Sequence, residues 1–558
     1  MTIETRPTTW QDLVAVKQQE CKQKIPSDWL LSAEQLALAK KSPRLLEADI
    51  PRRSGILSDP ELDITENYTA SQLLDKLASG QISSLETTTA FCKRAAIAQQ
   101  LTSCLTETFF PQALERAKYL DEYLRREGKS IGPLHGLPIS IKDTFCVEGV
   151  QTTVGYVSFL AHEPEKNNSA LVDMLLHLGA VLYVKTNIPQ TLMTADSENN
   201  IFGRTLNPHK TTLTAGGSSG GEGALIAFRG SVLGIATDIA GSIRIPALCC
   251  GVYGFKPTSQ RIPYGGQVNG NVQGIPGITP VAGPIAHSIE DLSLLVRTVI
   301  GTGQAWEYDA GVVPVPWQSV PAGNNDNNRI LTIGVMVEDE HFPLHPPVKR
   351  ALDKAVEALT KAGHKIVRIG GGSEELNIAY VSRLAFQYFV YGPHNDHITP
   401  SGEPMIASLA KGTSPMFSGP FPVEPGLEPF EMIQRLHKAQ RGVHDAWRQT
   451  WVDQKLDVIL GPGAQNTAVA YDTYGFPPYT VIWNLLDYPA CIIPFGKASK
   501  ELDPEPVAAG NDVLPSYIPE EVDGAPCAVQ VVTPRFQDEK CLWAADIIDK
   551  VLATYGKE

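Results

Sequence analysis

Apolar positions recur at helical spacing in long stretches of the chain and gather elsewhere into short blocks bounded by glycine. That contrast reads as helices alternating with buried strands. Helices are expected over 70–79, 84–99 and 111–126, with Gly80 and Gly128 standing just past two of them as C-caps. Residues 137–142 alternate apolar and polar side chains up to Lys142, and 169–178 read as a helix before an apolar strand at 180–184. Next come a small-residue turn at 216–221, a helix at 223–228, a strand at 232–236 and a second turn at 238–242. Further on, 288–300 is a helix with Glu290 and Asp291 in its dipole-favoured first turn, and 333–337 is a strand. The helix at 347–362 places Val348, Ala351, Leu352, Ala355, Val356 and Leu359 on one face. A long helix at 430–453, buried strands at 458–460 and 490–493, and a helix at 539–554 complete the pattern.

Strands alternating with helices imply an α/β fold, with a largely parallel sheet covered on both faces. Residues 1–60 are polar and helix-prone, broken by Pro26, Pro43 and Pro51, and read as a helical arm on a main body spanning 61–558. Three segments rich in proline, glycine or acidic residues, 303–328, 393–429 and 501–524, are expected as loops. The second of these is expected to border the substrate entrance.

Composition narrows the partners. The net charge is −14, which disfavours nucleic acid or an anionic membrane. The opening residues lack the apolar core of a signal peptide, and no apolar run of about 20 residues offers a membrane span. Nine cysteines without metal-ligand spacing suit a reducing compartment, so a cytoplasmic location is expected. The 12 histidines form no H-E-x-x-H, so no metal is expected. His341, His345, His394 and His397 lie in proline-rich loops and read as surface residues.

The chemistry concentrates in AGGSSGGEGALIAFRGSVLGIATDIAGSIRIP, residues 215–246. Its two turns, Gly216 to Gly221 and Asp238 to Ser242, combine glycines that let another group approach the backbone with serine hydroxyls. A turn whose N–H groups converge can hold a developing negative charge, as an oxyanion hole must. This stretch, with Gly136 to Asp143 upstream, Phe202 to Pro208 and Ala525 to Gln530, resembles the amidase signature family of serine hydrolases. The similarity spans roughly residues 60 to 558, in a style near the fungal acetamidase-like branch.

The resemblance implies a single large mixed, mostly parallel sheet sandwiched by helices, and hydrolysis of a carboxylic amide without a cofactor. It puts the nucleophile on Ser242, a bridging serine on Ser218 after a cis peptide bond, and the base on Lys142. It puts the oxyanion hole on the amides of Ile239, Ala240, Gly241 and Ser242. Ala240 stands where the family usually has glycine, so a negative φ is expected there. Ser219, Asp238 and Arg244 read as supports of these loops, and Leu192 and Met193 as pocket lining. The base must be uncharged, which requires Lys142 to be desolvated and unpaired with any carboxylate. The substrate is a small-molecule amide of unread acyl length, and homodimerisation is an expectation from the resemblance alone.

Two other readings compete. Gly216 to Gly220 satisfies G-x-S-x-G, the nucleophile elbow of α/β-hydrolases, which would make an esterase with Ser218 as nucleophile. An elbow needs an apolar strand before it, and 210–214 is a poor one. The resemblance also admits the amidase-type subunit of a glutamine-dependent amidotransferase.

Overall fold

The computed structural model describes residues 9–268, 277–320, 329–391, 396–411, 421–509 and 515–555. Parts of the expected loops, 269–276, 321–328, 393–395 with His394, 412–420 and 510–514, lie outside the described residues.

Among the described residues thirteen strands form. They are β1 (Leu105–Thr108), β2 (Pro138–Lys142), β3 (Val181–Thr186), β4 (Glu198–Asn199), β5 (Gly203–Arg204), β6 (Leu233–Asp238), β7 (Tyr253–Lys256), β8 (Val281–Ala286), β9 (Thr332–Met336), β10 (Lys365–Ile369), β11 (Val458–Pro462), β12 (Ala490–Lys497) and β13 (Pro526–Val532). Eleven make one sheet in the order β1-β3-β2-β6-β8-β7-β12-β13-β11-β9-β10, while β4 and β5 pair separately. The sheet is mixed and flanked by helices, as expected. Parallel pairing occupies two blocks, β3-β2-β6 and β11-β9-β10. The strands between them, and β1 at the edge, pair antiparallel, so parallel pairs are fewer than the alternation suggested. The reason is local. Among the described residues of 257–280 no helix stands between β7 and β8, and a strand that returns without a crossover lies antiparallel.

Helix boundaries follow their caps. Ser83 and Glu86 form a capping box at the start of the helix Ser84–Thr102, and Gly80 and Gly128 close two helices in the left-handed conformation. On the helix Pro346–Lys361, Val348, Ala351, Leu352, Ala355 and Leu359 are buried, as the periodicity requires. This helix packs against Asp538–Tyr555, which also packs against Ile289–Gly301.

Residues 9–60 form the helices Trp10–Gln23, Ala33–Lys41, Leu45–Ala48 and Ile50–Arg53, and the start of Asp59–Glu66. Pro51 opens a helix instead of breaking one, since its missing N–H is an orphan at that position anyway. Leu31, Leu45, Ile50 and Leu57 join the same apolar core as the body. The Lys17 ammonium, 3% exposed, pairs with the buried Glu107 carboxylate of β1, whose other oxygen lies 2.6 Å from Lys24 Nζ. Arg44 bonds the Asp523 carbonyl at 3.0 Å. No helix among the described residues is long and apolar enough to cross a membrane. All nine cysteines are free, and the adjacent Cys249 and Cys250 are buried.

Candidate active site

The parallel neighbours β2 and β6 end side by side, with Ser140 opposite Gly234 and Ile141 opposite Ile235. Loops beyond the ends of adjacent parallel strands are where such sheets build sites. Lys142 is the last residue of β2, and β6 runs through Thr237 and Asp238 into the Ile239–Ser242 turn. Ser218 and Ser219 sit immediately before the helix Gly220–Ala227. These three pieces meet.

Lys142 is fully buried, and its Nζ donates to Ser218 Oγ and to Thr237 Oγ1, each at 2.8 Å. Burial lowers its pKa from 10.5 to about 7, against the smaller opposing pull of Asp238 and Glu222. Among the described residues no carboxylate stands within ion-pair distance of it. The adjacent Asp143 is diverted: its Oδ1 lies 3.0 Å from Lys185 Nζ and 2.9 Å from Thr106 Oγ1, and its Oδ2 accepts from the Val154 amide. The Gly217–Ser218 peptide bond is cis, as expected.

Ser242 is the most accessible of the three expected reacting residues at 9% exposed, against 2% for Ser218. Its turn is fixed by Asp238, fully buried. Asp238 Oδ1 accepts from the Gly241 amide at 2.9 Å and Oδ2 from the Ile243 amide at 3.1 Å. Burial alone would raise the Asp238 pKa, but the Arg244 guanidinium holds it at about 2. Arg244 is itself buried and reaches Asp238 through Nε and Nη2, Asn484 Oδ1 through Nη2, and the Thr480 carbonyl and Gln530 Oε1 through Nη1. Asp238 and Arg244 thus bond each other, and Asp238 bonds the backbone of this turn. Ser219 contributes one long bond, to the Thr237 carbonyl at 3.4 Å.

The expected set of amides needs one correction. The Gly241 N–H is spent on Asp238 Oδ1, 2.9 Å away. Ala240 stays out of positive φ, as expected, while Gly241 takes +132°. A Cβ at Gly241 would strike the Thr480 side chain, whose Oγ1 bonds the Ala240 carbonyl at 2.6 Å.

Leu192 is partly buried against Val154, Tyr156, Phe159 and Ile188, and both Thr191 and Leu192 have positive φ, +71° and +65°. Two residues further on, Thr194 and Ala195 press their backbone against Gly217, so this segment abuts the Ser218 turn. The sequence reading missed Ser197, whose Oγ bonds the Gly216 carbonyl and accepts from the Gly220 amide, bracketing that turn. It also missed Thr237 and Glu222. Thr237 had a signal, its place beside Asp238 at the end of a strand predicted to enter the site. His345 is a further correction. It is 4% exposed, with Nε2 at 3.0 Å from the Pro515 carbonyl, so burial against the 515–517 segment overrides its proline-rich setting.

An elbow would need a strand leading into Ser218. Residues 210–217 form only isolated bridges, at Leu213 and Thr214.

Residues 86–542 match the family described as Amidase. An amidase of Gibberella moniliformis is 40% identical, the alignment covering 97% of this chain and 99% of that protein. An acetamidase of Emericella nidulans is 38% identical over 98% and 99% of the two chains. Among solved structures, a fatty acid amide hydrolase superposes with a TM-score of 0.85 at 31% identity, covering 98% of this chain and 95% of its own. The buried lysine, the serine turns and the end-to-end similarity agree, and the chain belongs to the amidase family of enzymes.

Proposed function

We propose that this amidase cleaves a carboxylic amide to the acid and ammonia or an amine, through an acyl-enzyme on Ser242. Ser242 Oγ attacks the carbonyl carbon while its proton passes to Ser218 Oγ and the Ser218 proton passes to neutral Lys142. The amides of Ile239, Ala240 and Ser242 receive the oxyanion that forms. When the C–N bond breaks, Lys142 returns the proton through Ser218 to the leaving nitrogen. Water then attacks the ester, its proton passing along the same path to Lys142, and as the acyl–oxygen bond breaks that proton returns through Ser218 to Ser242 Oγ and the acid departs. The observation that carries this reading is the 2.8 Å bond from a fully buried, carboxylate-free Lys142 to Ser218.

The elbow reading would put the acyl group on Ser218, so labelling decides between them. A fluorophosphonate probe should modify Ser242, and Ser242→Ala should abolish both labelling and turnover. An adduct on Ser218 in the native enzyme would overturn the assignment. Purified chain turning over a simple amide without partner proteins separates a free-standing hydrolase from an amidotransferase subunit. Amides of increasing acyl length then define the substrate class.

A further inference from the structure

Glu222 is a fully buried carboxyl in the first turn of the helix Gly220–Ala227, four residues after Ser218. Its Oε2 accepts from Thr186 Oγ1 of β3 at 2.7 Å, and its Oε1 contacts Ser140 Oγ of β2. Ser140 lies two residues before Lys142, on the same face of the strand. Glu222 therefore joins the helix behind Ser218 to the strand that presents Lys142, and to its neighbour. A Cβ at Gly234 of β6 would collide with it.

One consistent placement of the protons leaves it uncharged. Ser231 Oγ donates to the Leu233 carbonyl at 2.9 Å, so its 2.9 Å contact with Ser140 Oγ uses the Ser140 proton. The proton in the Ser140–Glu222 contact then comes from the carboxyl. With a protonated Glu222 every group in the chain Thr186–Glu222–Ser140–Ser231–Leu233 is satisfied, as a buried polar network requires. The titratable groups facing it are Lys142 on β2, Tyr183 on β3 and Cys104 before β1. Burial holds Tyr183 well up and Cys104 at about 12, so neither carries charge. Among the described residues Glu222 has no cation within ion-pair distance, and burial pushes it up to about 7 despite its hydroxyl partners.

We propose that Glu222 is a positioning residue held as a neutral carboxylic acid, keeping the proton it would otherwise cede to Lys142 while fixing the relay serine's helix to the lysine's strand. The assignment rests on the Ser242–Ser218–Lys142 reading. Lys142 and Glu222 interact, so their protons belong to the pair. A charge on Glu222 would favour ammonium at Lys142 and disable the base, whereas Asp238 is already neutralised by Arg244.

Two variants and a spectrum test this. Glutamine copies the neutral acid, its amide donating to Ser140 and its carbonyl accepting from Thr186. Glu222→Gln should keep kcat within about threefold and leave the acid limb of kcat/KM in place. Glu222→Leu should lose about a hundredfold or more in kcat with little change in KM. Difference infrared spectra just below pH 7, on the rising limb of activity, should show a protonated-carboxyl carbonyl band in the native enzyme that Glu222→Gln lacks. A missing band, or an acid limb moved down by about one pH unit in Glu222→Gln, would mean an ionised Glu222 and overturn the proposal. Full kcat in Glu222→Leu would overturn the positioning role. The infrared band needs no turnover, so it reads Glu222 even where labelling away from Ser242 defeats the relay.

Discussion

The lysine base makes the sharpest prediction. Free lysine at pH 7 is neutral in only about three molecules in ten thousand, whereas a group titrating at about 7 is neutral in about half. Burial thus multiplies the usable base on the order of a thousandfold, without any cation beside it. With an uncharged amide as substrate, kcat/KM should rise about tenfold per pH unit below 7 and level off above it. Lys142→Met should erase this limb and lower kcat/KM by at least about 10²- to 10⁴-fold. Folding stability should carry the reverse signature. The unfolded lysine holds its proton up to 10.5 and the folded one only to about 7, so the unfolded state binds more protons across that window. Stability from this group is lowest below pH 7 and is regained as pH rises toward 10.5. The differential amounts to about 5 kcal/mol at most. Lys142→Met should therefore raise the urea midpoint at pH 6, with the gain shrinking by pH 10. An acid limb near pH 10, or one that survives in Lys142→Met, would refute the reasoning.

Arg244→Met leaves the buried Asp238 charge without its cation and should cost about 3 to 5 kcal/mol in urea unfolding, along with most activity. Gly241→Ala forces a side chain into a +132° backbone and against Thr480. It should cost about 1 to 3 kcal/mol and slow acylation, read as the burst rate on an activated ester. Glu107→Ala leaves the buried Lys17 ammonium only Glu20, 3.4 Å away, and should destabilise by about 3 kcal/mol, with faster proteolytic clipping between the first two helices of the arm.

Much of this was legible because it is local. Period, caps and glycine punctuation located most helices within a residue or two, and the two serine turns identified the loops that meet. What stayed hidden depends on partners far along the chain. Arg244 reads as a support beside Asp238, but its further partners Asn484 and Gln530 stand 240 and 286 residues away. Lys142 is expected free of any carboxylate, but that Lys185 and Thr106 hold the adjacent Asp143 carboxylate is not readable. Glu222 passes for an ordinary first-turn acid until Ser140 and Thr186 close around it. Strand direction was hidden too, since the residues of a connection such as 257–280 carry no mark of whether it reverses the chain.

The strand order has a bearing on synthesis. β12 and β13, made near the end of translation, lie in the middle of the sheet, between the block that ends at β7 and the block β11-β9-β10. Until residue 532 leaves the ribosome, each block keeps a raw border of unpaired backbone, the condition that invites association between nascent chains. A premature stop before β12 would therefore remove the bridge between two half-sheets rather than trim a tail, and such a product should precipitate rather than persist as a weaker enzyme.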